Sequence, residues 1–237
     1  MTLQQLKPAS HILIYAASGW GKTNQVGELA KYIAKESSGK QHLRLVSRSG
    51  GGWATIDHLV DAGLVDAIDI TPWQHRYEAL NRLTRGWWPN TNGLMQPPPA
   101  WREKYPSFKA VSGYQTQEQW DAFGGIAFDG ISELAEWLMS HTIEREARGE
   151  IKVSGQGLAA SFQDGEEKFG VPAQGHYGTV QTHISTCVTQ TNGFVGKHVL
   201  WTALELRAKD ETSNLPIYGP DIIGKAATSK APSWFEQ

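Results

Sequence analysis

Apolar residues in the first third of the chain follow two alternating patterns. His11–Tyr15 (HILIY) is a short continuous apolar run, which predicts a buried strand. Val26, Leu29, Ala30 and Ile33 then recur at i, i+3, i+4 and i+7, so residues 23–35 are expected to form an amphipathic helix, ended by Ser37-Ser38-Gly39-Lys40. Leu43–Ser47 (LRLVS) predicts a second strand, 49–52 a turn, 56–62 a short helix stopped at Gly63, and Val65–Ile70 a third strand. Strands that alternate with helices imply a parallel sheet covered by helices. The expected fold class is α/β, with a mostly parallel central sheet flanked by helices.

From 71 to 120 the pattern breaks. Five tryptophans and six prolines fall in this stretch, and only 74–85 has helical spacing. It is too aromatic for a disordered linker and too long for an ordinary connection, so it is expected to be an insertion. Regular structure resumes with a strand at 124–129 that ends on Asp129, and Ile131, Leu134, Ala135, Leu138 and Met139 then mark a helix. Residues 149–175, with six glycines and no clear period, are expected to be a second loop region. A helix follows over 176–191 with an apolar stripe of Val180, Ile184, Cys187 and Val188, then a buried strand at 198–203 and a strand near Ile217. One domain spanning 1–237 is expected.

Composition narrows the function. At 237 residues, 40% hydrophobic, the chain can bury a core without disulfide or metal staples. A net charge of -2 gives no global pull toward nucleic acid or anionic lipid, so such binding needs a local patch. The insertion offers one: six cations, from Arg76 to Lys109, stand among its tryptophans against three acids. Those tryptophans can stack on unpaired bases or bury a satellite core. A single cysteine, Cys187, excludes an internal disulfide and a Cys-based zinc site and reads as a buried thiol. No apolar run reaches the ~18 residues of a membrane span, and the first residues do not pattern as a secretory signal. The expectation is a soluble, cytoplasmic protein without a membrane partner.

The chemistry concentrates in Ala16-Ala17-Ser18-Gly19-Trp20-Gly21-Lys22-Thr23, set between the first strand and the first helix. This is the context of a Walker A loop. Glycines let backbone N–H groups turn inward around phosphate oxygens, and the helix N-terminus adds partial positive charge. Ala17, Ser18, Gly19, Trp20, Gly21, Lys22, Thr23 and Asn24 are the expected nucleotide contacts. Lys22 would reach the β- and γ-phosphates, and the Thr23 hydroxyl would bind Mg²⁺. The leading glycine of the motif is Ala16 here, which costs little only at negative φ. Asp129 is the natural second metal group, in the manner of a Walker B acid, or else a helix cap.

Together, Ala16–Thr23, the segment from Phe128 to Leu134 and the segment from His198 to Glu205 resemble the RecA-type P-loop ATPases. More narrowly, the chain is similar to the single-domain RecA-like nucleotide-binding proteins of bacteriophages. The resemblance implies a Mg-ATP-binding ATPase acting in phage DNA recombination or replication. Its cofactors would be ATP and Mg²⁺, its setting the host cytoplasm, and its partners single-stranded DNA, a phage recombination or replication protein and further copies of itself. It also implies that the 198–203 strand lies between the Walker A and Walker B strands, so that Thr202 and Glu205 approach the γ-phosphate. Lys22, Asp129, Thr202 and Glu205 are the implied catalytic set. Such enzymes usually place a water-activating Glu after the second strand; here that strand runs into Ser47-Arg48-Ser49. Glu133 or Glu205 could orient water instead, and Arg207 and Lys209 are candidate cations acting on a neighbouring subunit.

Other readings stay open on the sequence: a packaging or helicase-loading motor, an assembly protein that binds ATP with little turnover, and a small-molecule kinase. His176 and His183 stand seven apart but form no i, i+4 metal pair with an acid.

Overall fold

A computed structural model describes residues 10–48, 53–71, 76–155, 157–158, 160–164, 167–209, 216–223 and 225–235. The expected Gly50-Gly51-Gly52 turn, Trp73 and the start of the 74–85 helix lie outside them. In chain order the elements are β1 (His11–Ala16), α1 (Lys22–Glu36), β2 (His42–Ser47), α2 (Asp57–Asp61), β3 (Val65–Asp69) and α3 (Arg76–Leu83). The insertion continues through β4 (Trp88–Pro89), β5 (Met95–Gln96), α4 (Ala100–Lys104) and α5 (Gln117–Asp121). Then come β6 (Phe123–Asp129), α6 (Ile131–Ala147), β7 (Ala160–Asp164), β8 (Glu167–Val171), α7 (Gln174–Thr191), β9 (His198–Lys209), β10 (Pro216–Pro220) and α8 (Lys225–Lys230).

The central sheet runs β1-β9-β6-β2-β3, all parallel, with β10 added antiparallel to β9. This is a mixed α/β fold with a mostly parallel sheet flanked by helices. Two apolar clusters account for it. One joins Val26, Ala30 and Ile33 of α1 to Leu43, Leu45, Ala127 and Leu200 of the strands. The other joins α3, α6 and α7 to Val46, Ile126, Phe128, Val199 and Trp201. Adjacent strand residues appear in opposite clusters, as the two-residue strand period requires of a sheet covered on both sides. Cys187 is wholly buried in the second cluster. Among the described residues, no helix is long and apolar enough to cross a membrane.

Two expectations change. The 149–175 stretch holds an antiparallel pair, β7 with β8, and α7 begins at Gln174. The strands ASFQD and EKFGV carry few large apolar residues and no continuous apolar run, and the pair stands apart from the main sheet. Glu146 at the end of α6 holds this region: its carboxylate accepts from the N–H of Val153 at 3.2 Å and of Leu158 at 3.1 Å, and lies 2.9 Å from buried His176 Nε2. His183 instead stacks on Tyr77. The second change is the length of β9, which continues past 203 to Lys209 because β10 pairs with it from Glu205 to Lys209.

The insertion packs inward only in part, since residues 102–109 are exposed. Trp87 and Trp88 are buried, and Trp87, Trp101 and Phe108 meet edge to face. At the far end of the sheet the Phe123 ring lies between two cations, with Arg44 at 4.2 Å and Lys197 at 4.3 Å. Lys197 donates to the carbonyls of Phe123 at 2.5 Å and Trp120 at 3.0 Å. Burial pulls the Lys197 ammonium down to about 8 from its ordinary 10.5. Between those values the unfolded chain holds more protons than the folded one, so this group adds stability as pH rises from about 8 toward 10.5. Cys187, pushed up by burial to about 12, opposes it above pH 9. Lys197→Met separates the two. Urea midpoints at pH 8 and pH 10 should show wild type gaining relative to the variant, and an unchanged difference would refute the effect.

Candidate functional site

The loop between β1 and α1 is shaped by its glycines. Gly19 and Gly21 have φ of 78° and 80°, a backbone turn that only glycine takes readily, and Gly21 caps α1. Ala16 ends β1, and Ser38 is the only described non-glycine residue at positive φ. Alanine therefore fits the leading position of the motif without strain. The Lys22 ammonium folds back over its own loop, donating to Ala16 O at 3.0 Å and Ala17 O at 3.1 Å.

Strand register brings the acids to this loop. Ser47 of β2 pairs with Asp69 on one side and Asp129 on the other, so the ends of β3, β2 and β6 form one row at the carboxyl edge of the sheet. Ligands of open α/β sheets bind along that edge. Thr23 Oγ1 donates to Asp129 Oδ2 at 2.9 Å, and Thr202 Oγ1 donates to Asp129 Oδ1 at 2.5 Å. Gly130 N–H in turn donates to Thr202 Oγ1 at 2.8 Å. Asp129 is thus held on both oxygens, by the first turn of α1 and by β9, which lies between β1 and β6. Gly130 starts α6 at φ 95°, and a Cβ there would lie 2.6 Å from Glu133 Oε2. Glycine at 130 lets Glu133 fold over the site, where its buried Oε2 has no hydrogen-bond partner among the described residues.

A cavity of about 730 Å³ opens over this row, lined by Ser18, Gly19, Gly21, Lys22, Thr23 and Asn24 of the loop, and by Ser47, Arg48, Thr55, Asp69, Thr71, Asp129, Gly130, Glu133, Thr202 and Leu204. A separate groove of about 680 Å³ beside Gln174, Gly178 and His183 is lined by no acid, lysine or arginine among the described residues.

No protein-family model matches the chain, and no curated protein matches it significantly.

Of the expected contacts, Ala17 and Trp20 are not among the described residues that line the cavity, and the Trp20 side chain stands in solvent at 75% exposure. Glu205 is also displaced from its expected place. Thr202 and Leu204 face the cavity, so alternation along β9 turns Glu205 away, and its Oε2 accepts from Arg207 Nε at 2.7 Å. Arg207 and Lys209 lie within β9 rather than beyond it. Sequence reasoning passed over Asp69, Arg48, Thr55 and Thr71. Asp69 had a legible signal, since VDAID ends on an acid as the Asp129 strand does. Its Oδ1 accepts from the N–H of Thr71 at 2.8 Å.

The donor set fits a divalent cation of the magnesium kind. A hydroxyl and a carboxylate, both hard oxygen donors, stand side by side at Thr23 and Asp129. No cluster of three or more His, Cys, Asp or Glu suited to a metal exists among the described residues. The remaining ligands would come from phosphate and water, as magnesium prefers. Two cations (Lys22, Arg48) face three acids (Asp69, Asp129, Glu133) in the cavity, so a polyanion entering without a metal would meet a net negative wall.

Proposed function

We propose that the chain is a RecA-like P-loop ATPase that binds Mg-ATP and hydrolyses it, acting in phage DNA recombination or replication. One observation carries the nucleotide reading: Thr23 beside Lys22 shares a hydrogen bond with Asp129 across the gap from α1 to β6. That contact couples the Walker A loop to an acid of Walker B type. The strand order supports the RecA-like form, since β9 separates β1 from β6.

Lys22 would release its two loop carbonyls and meet the β- and γ-phosphate oxygens. The backbone N–H groups from Ser18 to Thr23 would hold the same anion from beneath. Thr23 Oγ1 would hold the magnesium ion, with Asp129 behind it and Thr202 fixing the carboxylate. Magnesium, when bound, neutralises charge on the phosphate oxygens. Glu133, which lines the cavity, would take a proton from the attacking water, and Asp69 lines the same cavity. Attack forms a bond from water oxygen to the γ-phosphorus, the bond to the β–γ bridging oxygen breaks, and ADP and phosphate result.

Phosphate release from ATP with magnesium, alone and with single- or double-stranded DNA, tests the reading. Metal-dependent release that rises with single-stranded DNA supports the recombination role. Binding without release under all three conditions would favour a nucleotide-dependent assembly protein.

A further inference from the structure

Resting on the nucleotide reading above, we infer that Arg48 contacts the terminal phosphate from within the same chain, so that the site needs no cation from a neighbouring subunit. Ser47 pairs in register with Asp129, which places Arg48 at the next step beyond the metal-binding acid, one strand over. Adjacent strands lie about 4.8 Å apart, within easy reach of an arginine side chain. Arg48 lines the same cavity as Lys22, Thr23 and Glu133. Its Nη1 donates to the backbone carbonyl of Glu133 at 3.3 Å. A carbonyl carries no net charge, so this bond aims the guanidinium without neutralising it. The planar fork of N–H donors then matches phosphate oxygens, and the acids at 69, 129 and 133 keep the cation over the site.

The position on β2 matters. The sequence puts an arginine where the resemblance implies a water-activating acid, while Glu133 brings a carboxylate from α6. Cation and acid both face one cavity. Arg207 is not among the described residues that line this cavity: it lies 63% exposed, and its guanidinium pairs with Glu205 of its own strand.

A structural arginine would alter all nucleotides alike, whereas a terminal-phosphate contact separates triphosphate from diphosphate. The test is therefore the affinity of Arg48→Ala for a non-hydrolysable ATP analogue and for ADP, both with magnesium. The analogue should weaken about tenfold or more while ADP stays within about twofold, and Arg48→Lys should recover part of the loss. Equal weakening of both ligands, or no change in either, would overturn the inference. Wild type binding neither ligand would instead overturn the nucleotide reading, and the inference with it. Adding an excess of Lys22→Ala chains, which still carry Arg48, should not restore the Arg48→Ala protein's affinity for the analogue. Restoration would place the arginine in a neighbour's site and overturn the claim of a self-sufficient chain.

Discussion

Lys22→Ala should fold as wild type does and lose tight nucleotide binding. Among the described residues the ammonium makes only local contacts, to Ala16 O and Ala17 O, and both carbonyls can turn to water once it is gone. The stability loss should stay within about 1 kcal/mol, the ordinary net worth of such bonds. Binding is different, because the ammonium is the chief cation of the loop itself. Two charge-assisted hydrogen bonds to phosphate, at about 1.5–3 kcal/mol each, correspond to a loss on the order of 10²- to 10⁴-fold in affinity. Calorimetric titration checks the binding, and thermal unfolding by circular dichroism checks the fold. A folded variant that still binds tightly would end the phosphate-loop assignment.

Asp129→Asn should separate binding from turnover. The amide keeps the size of the carboxylate, and its one carbonyl oxygen can still accept from Thr23 or Thr202, but not from both as the carboxylate does. Lost with the charge is the anchor of the metal shell. Turnover should fall on the order of 10²-fold or more, with nucleotide affinity changed about threefold or less. Steady-state phosphate release against magnesium concentration, beside equilibrium binding, reads both quantities. Wild-type turnover in this variant would mean that another acid, Asp69 or Glu133, serves the metal.

Much of the fold was legible because both faces of the sheet are covered. A strand buried on two sides reads as a continuous apolar run, as LRLVS and the strand ending at Asp129 do. HILIY became a strand at the end of the strand order, only partly covered rather than buried. The loop from Ala16 to Thr23 was legible for another reason: glycine spacing, lysine and threonine act locally, within one turn. What escaped was set by register. Nothing near Arg48 announces a site, and the acid that ends VDAID gains its meaning only when β2 pairs with both β3 and β6 and aligns the strand ends with Asp129. Glu205 shows the same limit in reverse. The strand order that the resemblance implies put both Thr202 and Glu205 near the γ-phosphate, yet alternation along β9 sends the two side chains to opposite sides. The β7–β8 pair escaped because ASFQD and EKFGV carry few large apolar residues and no continuous apolar run. In the insertion the aromatic content was plain, but its packing depends on distant partners such as Arg44 and Lys197.

The most direct test is an equilibrium titration of the full chain with a non-hydrolysable ATP analogue, with magnesium and again after chelation. Lys22, Thr23 and Asp129 stand together in a cavity whose acids outnumber its cations, so binding should be tight with the metal and weaker by about tenfold or more without it. No measurable binding in either condition would contradict the assignment of this site to a magnesium-bound nucleotide.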